Sequence, residues 1–114
     1  MARAKIPNPL ERRHQVEQKL PAERALAIAE LYLEEGRCVE AVDYLALAEA
    51  GEKLGELRER AVGEGDVFLL RSVARAQGEA PRREEWERIA GAAEGRGLEA
   101  YAAEARRQAE RGED

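Results

Sequence analysis

The chain has 114 residues, a mass of 12.7 kDa and a net charge of −5, and alanine, glutamate and arginine make up more than half of it. Aromatic residues are 4% of the chain and threonine is absent, which excludes a β-sandwich or barrel and favours an all-α fold. One cysteine and one histidine exclude an intramolecular disulfide and the usual four-ligand zinc site. The longest apolar runs span five residues, too few to cross a bilayer, so we expect a soluble, cytoplasmic protein without a membrane partner.

The first 20 residues differ in charge from the rest of the chain. Residues 1–20 carry five basic and two acidic side chains, whereas residues 21–114 carry 14 basic and 22 acidic ones. An acidic body repels phosphate backbones, so we expect no nucleic-acid partner. We predict a basic arm over residues 1–8 and a capping helix over 9–20 that covers the first hairpin with its apolar side. The alternative is that the basic residues dock on an acidic groove of the same chain or of a second copy.

Prolines and glycines divide the rest of the chain into helices and turns. Apolar residues at three- and four-residue spacing predict an amphipathic helix from Pro21 to Gly36, and a second stripe, which begins at Val39, ends near Gly51. The same pattern recurs twice, with Asp66 as a natural N-cap in the middle pair. The predicted helical hairpins span residues 22–50, 52–78 and 82–110, and residues 111–114 form a frayed tail.

The turn glycines Gly36, Gly65 and Gly97 are separated by 29 and 32 residues. A period of this length is typical of a solenoid, because a helical pair has two apolar faces and needs neighbours to bury both. We therefore predict a short right-handed α-solenoid of about three helical hairpins with an N-terminal capping helix.

The hairpins match a known repeat pattern. The first carries Ile28-Ala29, Tyr32, Gly36, Ala41, Leu45 and Ala48, and the third carries Trp86, Ile89-Ala90, Ala93, Gly97, Ala102 and Ala109. These offsets resemble the tetratricopeptide-repeat (TPR) consensus. Arg106 departs from it, in keeping with a terminal cap that faces water, and the middle hairpin keeps only Leu54, Leu57, Ala61 and Gly65, with Leu70 in place of a small residue. The resemblance implies a protein-binding scaffold.

If the hairpins curve as in that family, the first helix of each pair lines a concave surface. Such a groove would attract a basic partner segment, because its exposed positions are all acidic. The alternative is that these glutamates are solvated and paired with arginines on neighbouring turns. The candidate partner-binding residues are Glu23, Glu30, Glu34, Glu52, Glu59, Glu84, Glu87 and Glu94.

The sequence offers little for catalysis, metals or cofactors, and we expect none of the three. Glu11 and His14 share a helical face, but a di-iron site needs a second such pair. Cys38 lacks a partner thiol or histidine, and Ser72 lacks a general base, so neither is expected to be a nucleophile.

We predict a non-catalytic adaptor that binds another protein. One alternative is a homo-oligomeric assembly unit that packs through an apolar end face around Trp86, Tyr101 and Ala105. A third possibility is a helical regulator with a small-ligand pocket near Tyr32, Tyr44 and Phe68.

Overall fold

The computed structural model describes residues 20–111, and this part of the chain is all-helical, as the composition predicts. The helices are α1 (Ala22–Glu34), α2 (Cys38–Leu47), α3 (Gly51–Glu64), α4 (Val67–Gln77), α5 (Arg83–Gly95) and α6 (Glu99–Arg111). The predicted arm 1–8, the capping helix 9–20 except its last residue, and the tail 111–114 except its first residue lie outside the described residues. Within residues 20–111, each helix is too short or too polar to span a membrane.

The turns between paired helices fall at the predicted glycines. Gly36, Gly65 and Gly97 adopt φ angles of 73°, 73° and 75°, in the left-handed region that glycine enters without steric cost. Gly65 is also needed for space, because an ideal Cβ there would lie 2.6 Å from the backbone N and Cα of Ala93 in α5. The α3–α4 turn therefore packs directly against α5.

The chain divides into two compact units, and the boundary falls between Leu54 and Gly55, within α3. In the first unit α1 packs against α2, and the rings of Tyr32 and Tyr44 stack with centroids 5.7 Å apart. The guanidinium of Arg37 covers the Tyr32 ring at 4.8 Å and forms an ion pair with Glu40. The buried residues of this unit are Ala25, Ile28, Ala29, Tyr32, Ala41, Val42, Tyr44, Leu45 and Leu54.

One residue of the predicted core stripe of α2 lies outside the core. Val39 is 42% exposed, whereas Ala41 and Tyr44 are buried. Residues two and five positions after Val39 lie on the other side of a helix with 3.6 residues per turn, so the apolar spacing alone placed Val39 on the wrong face.

The core of the second unit follows the predicted stripes of its helices. Small residues of α5 and α6 allow these two helices to pack closely, while Trp86 and Ile89 fill the space around them. In α4, Leu69 is buried together with Val67, Leu70, Val73 and Ala74. The buried apolar residues are Leu57, Ala61, Val62, Val67, Leu69, Leu70, Val73, Ala74, Trp86, Ile89, Ala90, Ala93, Ala102, Ala105 and Ala109.

Polar contacts in the second unit join alternate helices. Arg58 and Glu59 of α3 form ion pairs with α5, and Arg71 of α4 forms one with Glu104 of α6. The rings of Phe68 in α4 and Tyr101 in α6 also meet edge to face, with centroids 5.7 Å apart. The first helices of the two pairs therefore contact each other, and so do the second helices.

Candidate partner-binding surfaces

Three of the predicted partner-binding residues form a single file on α1. Glu23, Glu30 and Glu34 are exposed and lie on the helix face opposite the buried residues, at positions i, i+7 and i+11. The helical rise separates the first two by about 10 Å along the axis and the last two by about 6 Å. We call these three residues the acidic stripe.

Two residues of the acidic stripe, Glu23 and Glu30, have little compensating positive charge nearby. Arg24 is the basic residue of α1, and it lies about 100° around the helix from Glu23. Among residues 20–111, Glu23 and Glu30 have no ion-pair partner. Glu52, in the first turn of α3, is exposed as well. The carboxylates of Glu23, Glu30 and Glu52 are therefore available to a cationic partner.

The predicted glutamates of the second unit are mostly paired with arginines. Glu59 lies 3.4 Å from Arg88, Glu87 lies 3.5 Å from Arg83, and Glu94 pairs with Arg106. Glu84 is exposed and has no ion pair within the described part of the chain. Only Glu87 pairs with an arginine on a neighbouring turn of its own helix, as the alternative interpretation expects, whereas Glu59 and Glu94 pair with arginines of another helix.

One charged residue is buried within residues 20–111, and no sequence pattern pointed to it. Glu85 is 2% exposed, and its two carboxylate oxygens accept hydrogen bonds from Arg58 Nε at 2.7 Å and Nη2 at 2.8 Å. The backbone N–H of Arg82 donates a third bond at 3.0 Å. These donors, Arg58 above all, lower the pKa of Glu85 from 4.5 to about 2.

The same arginine holds the loop before α5. Arg58 Nη1 donates to the Gln77 side chain at 2.8 Å and to the Glu79 carbonyl at 3.1 Å, and Nη2 donates to the Ala80 carbonyl at 3.4 Å. One guanidinium thus links α3, the end of α4, the connecting loop and α5. This saturated arrangement is structural rather than catalytic, because Glu85 has no proton to offer near neutral pH and its oxygens already have donors.

A second surface, which carries arginines and aromatic rings instead of unpaired carboxylates, lies where α4 meets α6. Phe68, Arg71 and Arg75 follow one another on one face of α4, at i, i+3 and i+7, and Tyr101 and Glu104 flank them from α6. Hydrogen bonds from Gln108, Arg107 and Arg71 lower the pKa of Glu104 to about 2. We call Phe68, Arg71, Arg75, Tyr101, Glu104 and Arg107 the basic aromatic face.

The sequence contains a signal for this face. Val67, Phe68, Leu69 and Leu70 are consecutive apolar residues, and a helix with a turn of 3.6 residues cannot direct all four inward. A helical projection assigns Phe68 to the same side as Arg71 and Arg75. The possible ligand pocket near Tyr32, Tyr44 and Phe68 groups this exposed ring with two tyrosines that are both buried.

The remaining candidates have structural roles or no partners for chemistry. Asp66 caps α4 by accepting a hydrogen bond from the Leu69 backbone N–H at 3.0 Å, as the predicted interhelical turn requires. Cys38 is a partly buried free thiol at the first residue of α2. Across residues 20–111, no group of three or more His, Cys, Asp or Glu side chains is placed to hold a metal ion.

A shallow depression of about 220 Å³ lies between the two turns of the second unit, lined by Glu64, Asp66, Arg96, Leu98 and Tyr101. Its arginine already donates to the Glu64 carbonyl at 2.8 Å, and Asp66 serves as the helix cap. The depression is therefore largely a by-product of the turn packing.

The residues predicted to form an apolar end face are mostly internal. Trp86 is 5% exposed and Ala105 is fully buried, while Tyr101 is partly exposed beside Phe68. Trp86 and Ala105 therefore present almost no surface to a second copy.

Comparisons with protein-family models, with curated proteins and with solved structures find no match to this chain.

Proposed function

We propose that the protein is a non-catalytic binding module built from TPR-like helical hairpins, and that the acidic stripe on α1 binds a basic segment of another protein. The observation that carries this proposal is the single file of Glu23, Glu30 and Glu34, with no basic residue on the same helix face. A groove or stripe of one charge raises the association rate of an oppositely charged segment and sets its register.

The architectural part of the proposal is supported by the second unit. Contacts between α3 and α5, and between α4 and α6, are those expected when successive hairpins stack with equivalent helices side by side. A right-handed solenoid is the arrangement that such stacking favours. We further propose a cytoplasmic location, which the free thiol of Cys38 fits because reducing compartments keep cysteines unpaired.

The choice among the eight predicted glutamates follows from their contacts. In the second unit, Glu59, Glu87 and Glu94 already have arginine partners, and a ligand would have to displace them. The acidic stripe requires no such exchange at Glu23 and Glu30. We therefore place the first contacts of a basic partner on α1.

The test measures the affinity of a fluorescein-labelled, arginine-rich peptide for the full chain by fluorescence anisotropy. Three exposed ion pairs contribute about 1–2 kcal/mol together, so the variant E23Q/E30Q/E34Q should bind roughly 5- to 30-fold more weakly. The matched control is E56Q/E99Q/E110Q, which removes the same charge from exposed glutamates elsewhere. Equal losses in the two variants would mean that net charge alone attracts the peptide, and the proposal would be rejected.

The homo-oligomeric alternative is tested separately by light scattering over a wide concentration range at low and high salt. A monomer throughout is expected if the acidic stripe serves a different protein. A dimer that dissociates at high salt would instead assign the stripe to the basic residues of a second copy.

A further inference from the structure

Phe68 is the most exposed large apolar side chain of the described residues. It is 58% exposed, whereas Val67, Leu69 and Leu70 on either side of it are buried. Its ring contacts Tyr101 through an edge-to-face arrangement, which leaves much of the phenyl group open to solvent. Burying an exposed aromatic ring against a partner is among the strongest single contributions to binding.

The charged residues that follow Phe68 on its face of α4, Arg71 and Arg75, are both positive. Arg71 and Arg107 share the single carboxylate of Glu104, with both distances at 2.6 Å. Arg75 is exposed and has no ion-pair partner within residues 20–111. The basic aromatic face thus has three guanidinium groups and one carboxylate, on a protein whose net charge is −5.

Arg71 is held in place before any partner arrives. Its guanidinium lies 5.7 Å from the centroid of the Trp86 ring and is bonded to Glu104 through Nη2. The remaining N–H groups of Arg71 have no acceptor among the described residues. An arginine fixed from two sides loses little side-chain entropy when it binds a second carboxylate.

We propose that the basic aromatic face docks an acidic amphipathic helix, whose apolar residues cover Phe68 and Tyr101 and whose carboxylates bind Arg71 and Arg75. Phe68, Arg71 and Arg75 lie along one face of α4, on which a partner helix can lie with its own anchors at i, i+3, i+4 and i+7. The excess positive charge selects an acidic partner. This site goes beyond the proposed function, because it lies in the other unit and takes a ligand of the opposite charge.

An acidic protein helix fits this face better than nucleic acid. Single-stranded nucleic acid binds by stacking successive bases on aromatic rings, whereas Phe68 and Tyr101 meet edge to face and present a compact apolar patch. A phosphate backbone would bind the arginines, and its affinity would not depend on Phe68. Dependence on Phe68 therefore separates the two kinds of ligand.

The probe is a fluorescein-labelled helical peptide with leucines at i, i+4 and i+7 and glutamates beside them, titrated with the full chain. The variant F68A/R75A should weaken binding by about tenfold or more, because it removes the apolar anchor and one cation. The control is V39A/R24A, which removes an exposed apolar residue and an exposed arginine from the first unit. It should change the affinity less than about twofold.

Both variants change exposed residues, and circular dichroism and urea unfolding should show that both retain the fold. Equal peptide affinity for the two variants would overturn the proposal. So would an oligonucleotide that binds at this face as tightly as the peptide and is unaffected by F68A. A dimer of the unmodified chain that F68A/R75A converts to monomer would also overturn it, since a second copy would then be the occupant. The arginine-rich peptide should bind F68A/R75A as tightly as it binds the unmodified chain. The two peptides therefore test the basic aromatic face and the acidic stripe independently.

Discussion

The buried pair of Arg58 and Glu85 makes a sharp prediction about stability. Glu85→Gln preserves the shape of the side chain but replaces one accepting oxygen with an NH₂ group that faces the Arg58 guanidinium. Removing one partner of a buried ion pair costs about 3–5 kcal/mol, because the other charge stays buried without compensation. The lowered pKa of Glu85 indicates a stabilisation of similar magnitude, since a change from 4.5 to about 2 corresponds to about 3 kcal/mol in the free energy of unfolding.

Urea unfolding followed by circular dichroism measures this loss. With a loss of about 3–5 kcal/mol and a slope of about 1–3 kcal/mol per molar urea, the midpoint of E85Q should fall by roughly 1–5 M at neutral pH. The control is Glu84→Gln, one residue earlier in α5, where the carboxylate is exposed and has no ion pair within the described residues. E84Q makes the same change in charge, and its free energy of unfolding should stay within about 0.5 kcal/mol of the unmodified chain.

The difference between the unmodified chain and E85Q should also depend on pH. The folded-state pKa of Glu85 is below its unfolded value, so between about 2 and 4.5 the unfolded state binds more protons. The stabilisation is therefore complete above pH 4.5 and is lost as the pH falls towards 2, where protonated glutamate resembles glutamine. Equal midpoints for E85Q and E84Q, or a difference from the unmodified chain that stays constant down to low pH, would refute this reasoning.

Two further predictions concern the turn between α3 and α4. Gly65→Ala should lower the free energy of unfolding by about 2–4 kcal/mol, because the new Cβ would clash with Ala93 as well as strain the backbone. The control is Gly97→Ala, which has a similar positive φ but nothing within 4 Å of its Cβ, and it should lower the free energy of unfolding by about 1–2 kcal/mol. Similar melting temperatures for the two variants would show that Ala93 can move aside. In urea unfolding, Asp66→Ala should lower the free energy of unfolding by about 1 kcal/mol, because the hydrogen bond from the Leu69 N–H is lost. Asp66→Asn keeps an accepting oxygen and should retain nearly all of the stability. An Asn variant as unstable as the Ala variant would contradict the capping role.

Much of the helical framework could be predicted from the sequence because its determinants are local. Gly36, Gly65 and Gly97 fall at the turns, and Asp66 caps α4, since each acts through the backbone within a few residues. The buried stripe of α5 is the predicted one for the same reason, because helical periodicity assigns faces directly. Val39 shows the limit of this method at the first turn of a short helix.

The candidate surfaces could be predicted only in part. The exposure of Glu23, Glu30 and Glu34 follows from their helical positions, and the structure agrees. The partners of Glu59 and Glu94 could not be found, because Arg88 and Arg106 lie 29 and 12 residues away along the chain. The i,i+3 and i,i+4 spacing rules apply only to residues of the same helix, so they cannot predict pairs between different helices.

Local sequence patterns were enough to predict that residues 20–111 are helical, where these helices begin and turn, and which side of most of them is apolar. Tertiary structure decided which charges meet. Glu85 looks like its exposed neighbours Glu84 and Glu87 in sequence, yet it is buried because Arg58, 27 residues earlier, lies directly opposite. Phe68 lies in an apolar run and is nonetheless exposed, because α4 has one core-facing side and four consecutive residues cannot share it. Local periodicity sets the face of each helix, and only the packing of one helix on another selects the partner.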